Sequence, residues 1–86
     1  MPAYLAELYV PRTGSDGVED AAARARTAAD ELRRAGTLVR FHRSIFVPVE
    51  ETCFLLYEAE SPESVRRAVG LAGIAFDRIV EAVLSC

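Results

Sequence analysis

The spacing of apolar positions along the chain switches between strand-like runs and a three-and-four rhythm. These switches divide it into a strand, a helix, two strands, a second helix and a last strand. Ala3 to Val10 carries Tyr4, Leu5, Leu8, Tyr9 and Val10 and reads as a strand that Pro11 terminates. Turn formers fill Arg12 to Gly17, and Asp16 with Glu19 three residues on forms a capping pair that predicts a helix from near Gly17 to about Ala35. Its apolar stripe, Val18, Ala21, Ala22, Ala25, Ala28, Ala29 and Leu32, is mostly alanine and lets the helix approach a sheet closely. The far side carries Asp20, Arg24, Asp30 and Arg34 and reads as a solvated face.

Gly36 stands where a helix end wants a left-handed residue. The stretch that follows, Leu38 to Ala59 (LVRFHRSIFVPVEETCFLLYEA), reads as a β-hairpin around the connector Pro48 to Glu51. Alternation through its first strand puts Val39, Phe41, Arg43, Ile45 and Val47 on a core face, with Arg40, His42, Ser44 and Phe46 opposite. The second strand, Thr52 to Ala59, is apolar on both sides until Glu58, as expected of a central strand. Ser61-Pro62-Glu63 is a compact helix start, with a capping hydroxyl, a proline whose missing N–H costs nothing there, and an acid favoured by the helix dipole. Val65, Ala68, Val69 and Ala72 form the buried stripe of that helix, Gly73 ends it, and Arg78 to Leu84 reads as a last strand interrupted by Glu81.

This order predicts an α+β, ferredoxin-like βαββαβ domain over residues 1–86. Its four-stranded antiparallel sheet has the order 4-1-3-2, with two helices on one face. A chain of 86 residues makes one domain and buries only about 60% of its unfolded surface. The sheet face away from the helices is left open. In a chain so rich in apolar strands, that face predicts a homodimer through the open sheet face or a small-molecule pocket.

Composition narrows the partners. With 10 basic and 13 acidic residues, net −3, neither nucleic acid nor an anionic membrane is the expected partner. An RNA-binding sheet would need exposed aromatics in a basic setting, whereas Phe54 and Tyr57 have opposite parity. No stretch approaches the roughly 20 apolar residues of a membrane span, and the N-terminus lacks a charged segment with an apolar one behind it. A soluble, cytoplasmic protein is predicted. Cys53 and Cys86 make neither a disulfide framework nor a CxxC pair, and Cys53 reads as a small core residue.

Polar residues inside apolar strands are the candidate chemistry. Glu7, His42, Glu58 and Glu81 fall one to a strand, and on a shared open face they form a row with Tyr9 and Arg40 beside it, a candidate ligand-binding set. Glu7, His42 and Glu58 could hold a divalent metal, the carboxylates as hard oxygen donors and the imidazole suiting a transition ion. Crowded carboxylates could instead raise one pKa and supply a general acid or base, or the row could be the wet side of the sheet, offset by Arg40 and Arg43. All three readings stay open at the level of the residues.

The segments YLAELYVP (4–11), RSIFVPVEETCFLLYEAESPESVRRA (43–68) and FDRIVEAV (76–83), with the alanine-rich helix and the glycine after the second helix, resemble the DUF4242 family. That family comprises small bacterial proteins of ferredoxin-like fold, often dimeric, and includes a nickel binder. The resemblance implies acidic positions at Glu7, Glu58 and Glu81 and an arginine-serine hairpin start at Arg43. It implies a metal (nickel-like) or small-ligand binding module more than an enzyme. The family's nickel binder is histidine-rich near its first strand, where this chain has Leu8, Tyr9 and Val10. A single histidine, His42, implies weaker and less selective metal binding. The alternative function, by analogy of fold, is a small dimeric α/β-barrel type enzyme, monooxygenase or cyclase-like, acting on an aromatic substrate in a pocket beside Glu7 and Glu58.

Overall fold

Strand, helix and sheet assignments in the computed structural model cover residues 1–85. The elements are β1 (Ala3–Tyr9), α1 (Ser15–Arg34), β2 (Val39–Val47), β3 (Thr52–Ala59), α2 (Pro62–Leu71) and β4 (Arg78–Ala82), with a single 3₁₀ turn over Pro48–Glu50. Every strand pair is antiparallel and the sheet order is β2-β3-β1-β4, which is 4-1-3-2 read from the other edge. The predicted ferredoxin-like α+β arrangement is the one observed.

Each helix start reflects its own chemistry. Before α1, Pro11 O accepts from Gly14 N at 2.8 Å and closes a tight turn that leads straight into the helix at Ser15. The cap residue is Gly14 and no side chain caps the helix, so the expected Asp16–Glu19 capping pair is not what starts it. A Cβ on Gly14 would meet Val10 Cγ1 at 2.8 Å and Pro11 O at 3.0 Å, so a larger residue would have to displace the Val10 side chain and crowd the turn. At α2 the expectation holds, because Ser61 is extended and its Oγ accepts from Ser64 N at 3.3 Å with Pro62 next. Gly36, at φ 101°, makes the left-handed stop after α1.

The core lies between the sheet and both helices. Tyr4, Ala6 and Leu8 of β1 and Cys53, Leu55, Tyr57 and Ala59 of β3 pack against the alanine stripe of α1 and against Val65, Ala68 and Val69 of α2. Tyr57 meets Phe41 edge-on with ring centroids 5.3 Å apart, and the Arg26 guanidinium covers the outer face of Phe41 at 5.1 Å.

Strand β2 departs from plain alternation. Its pairing with β3 steps from Phe41–Tyr57 to Arg43–Leu56, so His42 is an extra residue in a β-bulge. The bulge resets the parity of everything after it. Val39 and Phe41 face the helices as expected, but Ser44 and Phe46 then take the core side opposite Leu55 and Cys53. Arg43, Ile45 and Val47 turn to the open face, correcting the core placement that strict alternation assigned them. The physical reason is plain: without the bulge, the Arg43 guanidinium would point into the core, where an unpaired charge is costly.

Candidate functional site

The register fixes the layout of the open face. From the β2 edge to the β4 edge, one row is Arg40, Glu58, Ala3 and Ala82, and the next is Arg43, Leu56, Leu5 and Val80. A third row is Ile45, Phe54, Glu7 and Arg78, and the last is Val47, Thr52 and Tyr9. His42 lies in the bulge on the β2 side, between the first two rows. An apolar band therefore crosses the face diagonally, from Ala82 and Val80 through Leu5 and Leu56 to Phe54, Ile45 and Val47. It leaves two polar corners, Arg40–His42–Arg43–Glu58 at one end and Glu7–Arg78–Tyr9 at the other.

In the first corner His42 Nε2 lies 2.6 Å from Glu58 Oε1, and both side chains are about one-third exposed (33% and 31%). The Glu58 carboxyl is held below its ordinary range, chiefly by this hydrogen bond, with burial working against it and the charges of His42 and Arg40 assisting. The carboxylate is thus the acceptor and His42 Nε2–H the donor. His42 reaches Glu58 diagonally from the bulge, the register partner of Glu58 on β2 being Arg40.

In the second corner Arg78 Nε donates to Glu7 Oε2 at 2.8 Å, with the Glu7 side chain only 18% exposed. Tyr9 is exposed at the end of the row and its hydroxyl donates to Glu51 Oε2 at 3.5 Å. Glu51 adopts the left-handed conformation (φ 48°), and its carboxylate also accepts from Arg12 N at 3.0 Å while its carbonyl accepts from Val10 N. This clasp ties the hairpin connector to the end of β1.

The expected row is therefore split. Glu58, His42 and Arg40 come together, and Glu7 and Tyr9 lie at the opposite corner. Glu7 pairs with Phe54, four residues along β3 from Glu58, a separation of about 14 Å at strand spacing and rise. Glu7, His42 and Glu58 do not form a three-donor metal set within one chain, and no group of three or more His, Cys, Asp or Glu capable of holding a metal occurs among the described residues. Glu81 leaves the row altogether. It is the register partner of Tyr4, on the helix side, the same side as half-buried Ile79, which packs against the core beside Ala6. At the edge of the sheet it reaches solvent.

Residues missed by sequence reasoning are Arg78, which neutralises Glu7, and Arg43, placed on the wrong face by the unseen bulge. The opposite charges on strands that must pair were a usable signal for Arg78; for the bulge the signal was a charged Arg43 that strict alternation assigns to the core face. A groove of about 320 Å³ opens on the other side of the molecule, between the helices, lined by residues that include Arg24, Thr27, Glu31 and Leu71 and none from the open face.

Fold and site together define a small split-βαβ module with an open, amphipathic sheet face. Residues 6–82 match the family model of the nickel responsive protein SCO4226-like proteins, and the chain belongs to that family. It is related to the DUF4242 group that the hairpin residues resemble. The crystal structure of SCO4226 from Streptomyces coelicolor A3(2) has a similar fold, with a TM-score of 0.78 and 24% sequence identity over 98% of this chain and 99% of that one. No curated protein matches.

Proposed function

We propose that this protein is a non-catalytic binding module that responds to a divalent transition ion through His42 and Glu58 and works as a homodimer paired through the open sheet face. The observation that carries the metal part is the 2.6 Å contact between the histidine imidazole and a carboxylate kept ionised, on the open side of the sheet. A tightly held resident nickel ion does not fit one chain: Glu7 lies about 14 Å from Glu58 and is neutralised by Arg78, Cys53 is buried in the core, and two donors remain. A weakly held, exchangeable ion does fit those two donors, imidazole being the ligand that favours nickel, copper or zinc over harder cations. When bound, the ion would supply fixed positive charge in place of the proton shared by the pair. The family's nickel-responsive description supports this reading.

The homodimer part draws on the apolar band, where Ile45 is exposed and Leu5, Phe54, Val47 and Val80 are only half-buried. An aromatic-substrate enzyme would need an enclosed pocket beside Glu7 and Glu58, and the groove described above lies on the opposite side of the sheet. The binding reading is tested by titrating NiCl₂ or ZnCl₂ into the protein in a calorimeter. Weak, stoichiometric binding that disappears in His42→Ala and falls in Glu58→Gln is expected. An isotherm unchanged by both substitutions would remove the pair from the site.

A further inference from the structure

The groove between the helices has a local cause. α2 has 10 residues against 20 in α1 and ends beside the middle of the longer helix, where Arg24 Nη1 donates to Ala72 O at 3.1 Å. Just beyond, the chain leaves the helix through Gly73, at φ 72°. The α1 side chains along this space are small, Ala23, Thr27 and Ala28, and exposed Leu71 makes the opposite wall. What results is a mostly apolar trough of about 320 Å³, at the small end of ligand sites.

Its polar groups are unequally engaged. Arg24 is already committed: its Nε lies 3.1 Å from Asp20 Oδ2, which offsets its charge, and Nη1 caps the carboxyl end of α2. Thr27 Oγ1 donates to Ala23 O at 3.1 Å and keeps its lone pairs. Glu31 is exposed and has no ion-pair or side-chain hydrogen-bond partner among the described residues, since Arg33 goes to Asp30 and Arg67 to Thr37. Residues four apart on a helix are neighbours, so Thr27 and Glu31 offer their acceptors to the same part of the groove. A trough with apolar walls, one uncompensated carboxylate and a spare hydroxyl acceptor complements a donor that carries positive charge and an apolar body.

We propose that this groove is a second binding site, separate from the His42–Glu58 corner, for a primary ammonium ion on a compact apolar body. The ammonium donates to the Glu31 carboxylate and to Thr27 Oγ1, and the apolar body lies along Ala23, Ala28 and Leu71. An anionic ligand would meet the unpaired charge of Glu31, and a hard metal ion would find a single carboxylate where it needs several oxygen ligands.

The test is titration of phenethylammonium chloride into the full chain, followed by backbone amide NMR shifts, with phenethyl alcohol as the uncharged counterpart of the same shape. Saturable shifts centred on residues 23–31 and 71–72 are expected at millimolar concentration. Glu31→Gln, at an exposed position, leaves the core untouched; it should weaken ammonium binding about fivefold and leave the alcohol unaffected. Thr27→Val, which keeps the side-chain shape, should also weaken the ammonium. An ammonium bound equally well by wild type and Glu31→Gln, or an alcohol that binds as tightly as the ammonium, overturns the cation preference and with it the proposal. Shifts that do not saturate, or that fall on the open sheet face instead, overturn the site itself while leaving the metal reading of His42 and Glu58 standing.

Discussion

Replacing Tyr57 by phenylalanine removes one oxygen from the centre of the core. Tyr57 is fully buried in β3, and its hydroxyl finds no hydrogen-bond partner among the described residues. Burial pushes the pKa of that hydroxyl up, as expected of a group cut off from water. An unsatisfied buried donor and acceptor carries the desolvation cost of the group, about 1–3 kcal/mol, with nothing gained in return. Phenylalanine keeps the ring, and with it the edge-on contact with Phe41 at 5.3 Å, and leaves a void smaller than a methyl group. Tyr57→Phe should therefore stabilise the protein by about 1 kcal/mol. In a domain of this size that raises the melting temperature by about 4–8 °C. Urea denaturation followed by circular dichroism measures the change, and an unaltered m-value locates it in the native state. A Tyr57→Phe variant destabilised by about 0.5 kcal/mol or more would refute the reasoning, since the hydroxyl would then have a partner worth more than its desolvation.

The remaining predictions concern the open face and the second helix. The depressed carboxyl of Glu58 contributes stability that is present above its ordinary value of 4.5 and is lost as pH falls through its lower folded value. His42→Ala removes the largest cause of the depression. The Glu58 titration, followed by carboxyl NMR, should then move upward, and a titration that stays in place would show that the hydrogen bond does not hold it down. Ser61→Ala deletes the side chain that accepts from Ser64 N and should cost about 1 kcal/mol on thermal unfolding; a loss below about 0.3 kcal/mol would mean that Pro62 alone starts α2.

Legibility in the sequence followed the strength of the local physics. The hairpin, the proline-led start of α2 and the stop at Gly36 are dictated by residues adjacent in sequence, and all lie where the pattern put them. Strand β1 and the central strand β3 were legible because a proline ends one and the other is apolar on both faces. The start of α1 was misread because Gly14 wins by steric fit against Val10 and Pro11, a contact that no spacing rule contains. β4 was expected to reach Leu84, but pairing ends at Ala82, beyond which Val83 and Leu84 are exposed. For the site, residue types were legible and their grouping was not. Grouping depends on register, and one extra residue in β2 or a one-residue difference in the parity of β4 moves a charged side chain to the other face.

The bulge is therefore where fold and site meet. Phe41 and Arg43 oppose consecutive residues of β3, so the ladder is regular on either side and His42 alone is surplus to it. A residue freed from pairing is free to re-aim its side chain, and here the imidazole reaches Glu58, two strand positions from where alternation would offer it a partner. The same insertion lifts Arg43 out of the core and adds it to Arg40 at the sheet edge, where charge also discourages edge-to-edge pairing with other chains. One surplus residue thus sets Arg43 beside Arg40 and the His42–Glu58 pair, gives that corner its net positive charge and steers association away from the β2 edge. What remains available for a partner is the face itself, with its apolar band between a basic corner and the Glu7–Arg78 pair.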